Sequence, residues 1–205
     1  MKKSILLIVA CVFAFATVQA QSSEVEIASQ LTKAELFKAE NSFIREDVIY
    51  KYKGQGVELY AVLFTDLKSN EQITALEFQA TAGQQINNYY SGLGVTSKTL
   101  GYVDSEEIDN LLLALETISN ESNNADKKDD FSITYTAPGG IDVHYWKIGA
   151  SALCYLRKKW YYLDDYGVLT NKYSEGNITI APATLPKLIS AIKEAQVIVN
   201  QKSAK

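Results

Sequence analysis

The spacing of hydrophobic and polar residues predicts an alternation of strands and helices along the chain. Strands are predicted where β-branched, aromatic and aliphatic residues form short runs, or alternate with polar residues, between turn residues. The predicted strands are 45–53, 57–67, 73–80 and 99–103 in the first half, and 131–136, 141–148, 152–163 and 177–180 in the second. The short polar connections between them indicate hairpins, and therefore antiparallel pairing.

Apolar residues at helical spacing predict three amphipathic helices. The first is short and lies near 29–40, and the third begins near Pro182 and ends near residue 199. Between them, Asp104 lies three residues before Glu107, a spacing that predicts a capping box at the start of the second helix. One apolar face of this helix consists of Ile108, Leu111, Leu112, Leu115 and Ile118.

The two strand-to-helix junctions resemble each other. A shift of 77 residues places Val103 on Ile180 and Ile108 on Leu185, and the apolar positions that follow also coincide. The similarity has two interpretations. It reflects either a duplicated unit or the apolar spacing that any two amphipathic helices share.

The fold class follows from the predicted elements in either case. An antiparallel sheet has one apolar face to bury, and the amphipathic helices are long enough to cover it. We therefore predict an α+β fold of antiparallel sheet covered by helices, as one globular domain over 21–205. Under duplication, this domain is a tandem of two similar strand-rich halves, 43–120 and 131–199, each ending in a helix.

The first twenty residues have the pattern of a secretory signal peptide. A short basic segment, 1–3, precedes an apolar run over 4–16, which is shorter than the roughly 20 residues of a membrane-spanning helix. Small residues before the junction of Ala20 and Gln21 predict cleavage there. The chain is therefore expected to be exported to a periplasmic or extracellular location, with no membrane span in the mature protein.

An alternative processing site lies within the same segment. The residues around Cys11 resemble a bacterial lipobox, whose Cys carries a lipid. Cleavage there would leave an apolar run of only about seven residues, so cleavage after Ala20 is preferred.

Composition and charge exclude several classes of protein. A hydrophobic fraction of 47% is typical of a globular chain, and removing residues 1–20 leaves 18 basic and 24 acidic residues, a charge of −6. Nucleic-acid binding is not expected, because that function requires a basic surface. Cys154 is then the one remaining thiol, so no intrachain disulfide forms, and we expect this residue to be buried as an apolar side chain.

The residues that carry metal and catalytic chemistry are nearly absent. The single His and the single mature Cys provide no metal-ligand spacing, and no Gly-rich loop predicts a phosphate or cofactor site. His144 is the only histidine that could serve a catalytic triad, and it lies within a predicted strand without a nucleophile motif. We predict no catalytic residue, no metal and no cofactor.

Aromatic residues are the remaining functional signal. Seven of the 13 Tyr and both Trp lie in the second half of the chain. If Ile141, Val143 and Tyr145 face the core, His144 and Trp146 face the opposite side of the sheet. Together with Trp160 they form a candidate partner-binding surface. The alternative is that these aromatic side chains pack beneath a helix or a terminal segment.

These observations favour a small exported, non-catalytic protein that binds a protein or glycan partner. Two alternatives remain open at this point. One is an exported hydrolase that uses two carboxylates, which the sequence cannot select among 24 acidic residues. The other is a structural or envelope-assembly protein.

Overall fold

The computed structural model describes residues 31–54, 56–81, 97–124, 130–163 and 169–203. Within them lie two four-stranded antiparallel sheets, each with its strands in chain order. The strands of the first sheet are β1 (Ile44–Lys53), β2 (Val57–Asp66), β3 (Gln72–Thr81) and β4 (Ser97–Asp104). Those of the second sheet are β5 (Phe131–Thr136), β6 (Ile141–Ile148), β7 (Ser151–Leu163) and β8 (Leu169–Ile180).

Within the described residues, three α-helices accompany the sheets. Helix α1 (Lys33–Glu40) precedes the first sheet, α2 (Ile108–Asn124) follows it, and α3 (Leu185–Ser203) follows the second sheet. The predicted α+β fold with antiparallel sheets is thus confirmed. We call β1–β4 with α2 the first unit, and β5–β8 with α3 the second unit.

Three elements extend further than the hydrophobic pattern predicted, and one of them is α3, which ends at Ser203 rather than near residue 199. Strand β8 begins at Leu169 rather than near residue 177, and α2 continues to Asn124 rather than ending near residue 120. The early part of β8 is polar, and it is a strand because it pairs with β7. The last residues of α2 are polar and mostly exposed, and a solvent-facing helical turn tolerates such residues.

The two units are similar in structure as well as in sequence pattern. A single 3₁₀ turn separates the last strand of each unit from its helix, at Ser105–Glu107 and at Pro182–Thr184. The helices then begin at Ile108 and Leu185, so the shift of 77 residues aligns both the turns and the helix starts. Two similar strand-rich units, each followed by a helix, make up the described fold.

Helices α2 and α3 each pack against the sheet of the other unit. Helix α3 contacts β1, β2 and β3, and α2 contacts β5 and β6, while the two helices also contact each other. The Tyr50 hydroxyl on β1 donates a hydrogen bond to Glu194 Oε2 on α3, at 3.1 Å. Buried side chains from both sheets and from both helices form one apolar cluster.

The two units approach closely where β4 contacts β6 and β7. Gly101 on β4 illustrates the constraint, because a Cβ atom there would lie 2.9 Å from Ile141 Cδ1 and 3.2 Å from Lys158 Cδ. A side chain at residue 101 would therefore displace the ends of the Ile141 and Lys158 side chains. Glycine at this position allows the close approach of the two units.

Helix α1 covers the other face of the first sheet. Ala34 and Phe37 pack there in a second apolar cluster with residues of β2, β3 and β4. The sheet residues of this cluster are Val62, Phe64, Ala75 and Tyr102. The first sheet is therefore covered on both faces, by α3 on one and by α1 on the other.

The N-terminus of α1 is capped by two groups. The Thr32 hydroxyl accepts from the Glu35 amide while the Glu35 carboxylate accepts from the Thr32 amide, which forms a capping box. The Asp104 carboxylate accepts from the amides of Lys33 and Ala34, at 2.7 and 3.2 Å. The predicted capping box between Asp104 and Glu107 is therefore wrong, because the Asp104 side chain caps α1 instead of its own helix.

Two further expectations bear on side chains and membranes. Cys154 is fully buried on β7, as predicted, and burial raises the pKa of its thiol to about 12. Among the described residues, no helix combines the length and the apolar content that crossing a membrane requires. Cys11, Ala20 and Gln21, on which the export and lipidation predictions depend, lie outside the described residues.

Candidate functional site

The candidate site is the face of the second sheet that points away from the apolar core. On β6, Ile141, Val143 and Tyr145 are fully buried in the core, so His144 and Trp146 lie on the opposite face and are partly exposed. Strand register extends this face across β5, β7 and β8. We call it the open face, and its members are Ser132, Thr134, Thr136, Asp142, His144, Trp146, Ile148, Leu153, Tyr155, Arg157 and Thr179.

The centre of the open face is apolar and aromatic. Trp146 pairs with Leu153 on the neighbouring strand, and His144 pairs with Tyr155. All four side chains are only partly buried. Ile148, two residues further along β6, is 63% exposed. Trp146 and Ile148 therefore present apolar area to water on one face of the sheet.

A buried charge supports one side of this face. Asp142 is fully buried, and its carboxylate accepts hydrogen bonds from Thr136 Oγ1 at 2.7 Å and from Arg157 Nε at 2.8 Å. A buried carboxylate is costly unless it is paired. Here one partner lies on each neighbouring strand, so the pairing also fixes the positions of β5, β6 and β7 relative to one another.

His144 lies beside this charged pair on β6. Its Nδ1 atom and the Thr134 hydroxyl oxygen are 2.7 Å apart. Burial lowers the pKa of the imidazole below 6.5, the Arg157 charge lowers it further, and Asp142 partly opposes both effects. His144 is thus a partly exposed strand histidine with a hydrogen-bond partner at Nδ1.

The same positions in the first sheet are covered. The two sheets can be aligned by their core-facing strand pairs. In this alignment, the paired residues Val62 and Ala75 of the first sheet occupy the positions of Trp146 and Leu153 in the second. Val62 and Ala75 lie beneath α1. Among the residues that the structure describes, the second sheet has no helix corresponding to α1.

The structure brings together two of the three predicted site residues. His144 and Trp146 lie on one face, two positions apart on β6. Trp160 lies further along β7, past an irregularity in register between Arg157 and Lys159, and it pairs with Lys172. The side chain of Trp160 lies outside the described part of the structure, so only its backbone position is known.

Sequence reasoning missed several members of the open face. Leu153, Tyr155 and Arg157 on β7 join Asp142, His144 and Trp146 only through strand register. A signal was present, since Leu153 and Tyr155 alternate with the buried Cys154 and Leu156. It could not be interpreted because β7 is apolar at both alternating positions.

Two carboxylates on the first sheet are relevant to hydrolase chemistry. Glu58 and Glu77 lie on neighbouring strands and both side chains are largely buried. Glu58 accepts hydrogen bonds from Lys53 and Tyr60, which lower its pKa, and Glu77 accepts from Thr99 at 2.6 Å and from Gln79 at 2.8 Å. A general acid needs a raised pKa, and neighbours that lower the pKa of Glu58 do not supply one.

No group of three or more His, Cys, Asp and Glu side chains within the described ranges is arranged to hold a metal ion. The chain was also compared with known proteins. It matches no family model, no curated protein and no solved structure.

Proposed function

We propose that this protein is an exported, non-catalytic binding protein, and that a protein partner covers its open face. The observation that carries the proposal is the contrast between the two sheets. The outward face of the first sheet is covered by α1, whereas at the same positions the second sheet has Trp146 and Leu153, both partly exposed. Burying large aromatic and aliphatic side chains contributes strongly to protein association.

A protein partner agrees better with the surrounding groups than a glycan does. Sugar recognition needs hydrogen-bonding side chains that are available next to an aromatic platform. On the open face, both Asp142 oxygens already accept hydrogen bonds within the sheet, and His144 is paired with Thr134. The exposed neighbour of Trp146 along β6 is Ile148, which offers apolar area and no hydrogen bond.

Export is part of the same proposal. It is supported by the basic start, the apolar run over 4–16 and the small residues before Gln21. An exported protein of charge −6 after cleavage, without a metal or nucleophile motif in its sequence, is more consistent with partner binding than with an enzyme.

Site-specific photo-cross-linking in the cells that make the protein tests the proposal. A benzoylphenylalanine residue replaces Ile148 on the open face or, as a matched control, Leu113 on α2. These two side chains are 63% and 64% exposed. We expect a discrete protein adduct from position 148 and none of the same size from position 113.

A second substitution links the adduct to the aromatic centre. The change Trp146→Ala should abolish the adduct formed from position 148, because it removes the largest apolar contact of the face. The proposal fails if the adduct persists in this variant, or if both positions give the same adduct. Binding of the purified protein to a glycan array that depends on Trp146 would also overturn the protein assignment.

A further inference from the structure

We infer that β5 is a strand-addition site, where an extended segment of the partner pairs with the β5 edge of the second sheet. This inference rests on the proposed function and specifies how the partner binds. Strand β5 pairs with β6 on one side, and within the described residues no strand pairs with its other side. An unpaired edge offers a row of backbone donors and acceptors to another chain.

The hydrogen-bonding pattern identifies which backbone groups face the edge. The Ala137 amide donates to the Ile141 carbonyl at 2.7 Å, so this pair is a hydrogen-bonded one. Because such pairs alternate along an antiparallel ladder, Tyr135 and Ile133 also bond to β6. The amides and carbonyls of Ser132, Thr134 and Thr136 therefore point toward the open edge.

The equivalent edge of the first sheet, β1, is protected against such pairing, and β5 is not. Strand β1 carries five charged residues, and its register with β2 shifts between Val48 and Tyr50. Charged residues and bulges are the usual devices that block edge pairing. Strand β5 has the sequence FSITYT, with no charge and no proline, and its register with β6 is unbroken.

The side chains of β5 also leave a path to the aromatic centre. Ser132 and Thr134 are short and exposed, and they pair with Trp146 and His144 on the next strand. Bulky side chains at alternate positions of an added strand can lie over these short residues and reach Trp146. The preferred segment is thus extended and uncharged, with large apolar residues two positions apart.

A second copy of this chain fits the site less well. Antiparallel pairing of β5 with itself would place short Ser and Thr side chains beside the same short side chains, and none would reach Trp146. We therefore assign the edge to a partner segment.

A selection with a random peptide library tests the inference on the full mature chain. Phage-displayed 12-residue peptides are selected on the purified protein, and an enriched synthetic peptide is then used as the probe. We expect enriched peptides with alternating apolar residues and no central proline. Bound peptide should slow amide hydrogen exchange at Ser132, Thr134 and Thr136, because their outward amides become bonded.

Three variants separate backbone pairing from side-chain effects. Thr134→Pro removes an outward amide and should lower the affinity for the peptide by at least about tenfold. Thr134→Val keeps that amide and should change affinity by less than about threefold. Lys51→Pro is the control for placing a proline on an edge strand. Lys51 occupies on β1 the edge position that Thr134 occupies on β5, since Lys51 pairs with Tyr60 as Thr134 pairs with His144.

The outcomes distinguish this inference from the proposed function. If Trp146→Ala lowers the affinity for the peptide and Thr134→Pro does not, strand addition is wrong while the open face remains the binding surface. If no enriched peptide depends on either residue, both proposals fail. Concentration-dependent protection of the β5 amides without peptide would mean that a second copy pairs there, which also overturns the inference.

Discussion

Glu116 and Lys193 form a salt bridge, with Glu116 Oε1 lying 2.7 Å from Lys193 Nζ. The two residues are 77 positions apart, so they occupy the same place on α2 and α3 in the two similar units. Equivalent positions contact each other only near an axis that relates the units. The bridge therefore marks the centre of the helix pair, about which each helix packs on the other unit's sheet.

Exchanging these two charges should leave the protein nearly unchanged. Each single change, Glu116→Lys or Lys193→Glu, places like charges together and should lower the free energy of unfolding by about 0.5–1 kcal/mol, because both side chains are partly exposed. The double variant should recover most of this loss. Urea unfolding of all four proteins measures the coupling, and a double variant less stable than either single one would contradict the geometry.

The shared core predicts that both units unfold together. Leu76 lies fully buried on β3 of the first unit, and Leu76→Ala should cost about 2–5 kcal/mol. Both tryptophans belong to the second unit. The unfolding midpoint measured by their fluorescence should therefore move to lower urea by as much as the midpoint measured by far-UV circular dichroism. Leu113→Ala, at an exposed position, is the control. A fluorescence transition that Leu76→Ala leaves unmoved would mean that the units unfold independently.

The Asp104 carboxylate should stabilise α1 rather than α2. Asp104→Ala removes the acceptor for the Lys33 and Ala34 amides and should cost about 1–2 kcal/mol, with faster hydrogen exchange in α1. Glu107→Ala is the matched control, because Glu107 accepts only an exposed hydrogen bond from Asn110 and should cost less than about 0.5 kcal/mol. The assignment is wrong if Glu107→Ala loosens α1 and Asp104→Ala does not.

His144 should titrate below pH 6.5. It is the only histidine of the chain, so its imidazole resonance in an NMR titration is unambiguous. Because its pKa is lowered in the folded state, its contribution to stability is complete above pH 6.5 and is lost as the pH falls through the folded pKa. His144→Gln should flatten the stability profile in that range. A measured pKa above 6.5 would show that its surroundings are wrongly described.

The sequence allowed much of the fold to be predicted, since its strands and helices bury apolar residues at regular spacing. Ile108, Leu111 and Leu115 are fully buried, as their spacing predicted. Contacts between distant residues could not be predicted in this way. The Asp104 carboxylate has the spacing of a local capping box, but its partners are 70 and 71 residues away.

The candidate site was predictable only in part, for the same reason. Alternation along β6 was enough to place His144 and Trp146 on one face. It could not reveal that Leu153 lies opposite Trp146, or that Arg157 reaches Asp142, because strand register depends on pairing across hairpins. Nor could it show that α1 covers the outward face of the first sheet, whereas no helix of the described ranges corresponds to it on the second.

Acrylamide quenching of Trp146 fluorescence tests the central claim most directly, namely that the open face is uncovered until a partner binds. The measurement uses Trp160→Phe, so that Trp146 is the sole tryptophan whose emission is followed. We predict efficient quenching in the free protein, and a loss of quenching when the selected peptide is bound. A Trp146 already shielded from acrylamide in the free protein, or one whose quenching the peptide leaves unchanged, would contradict the account.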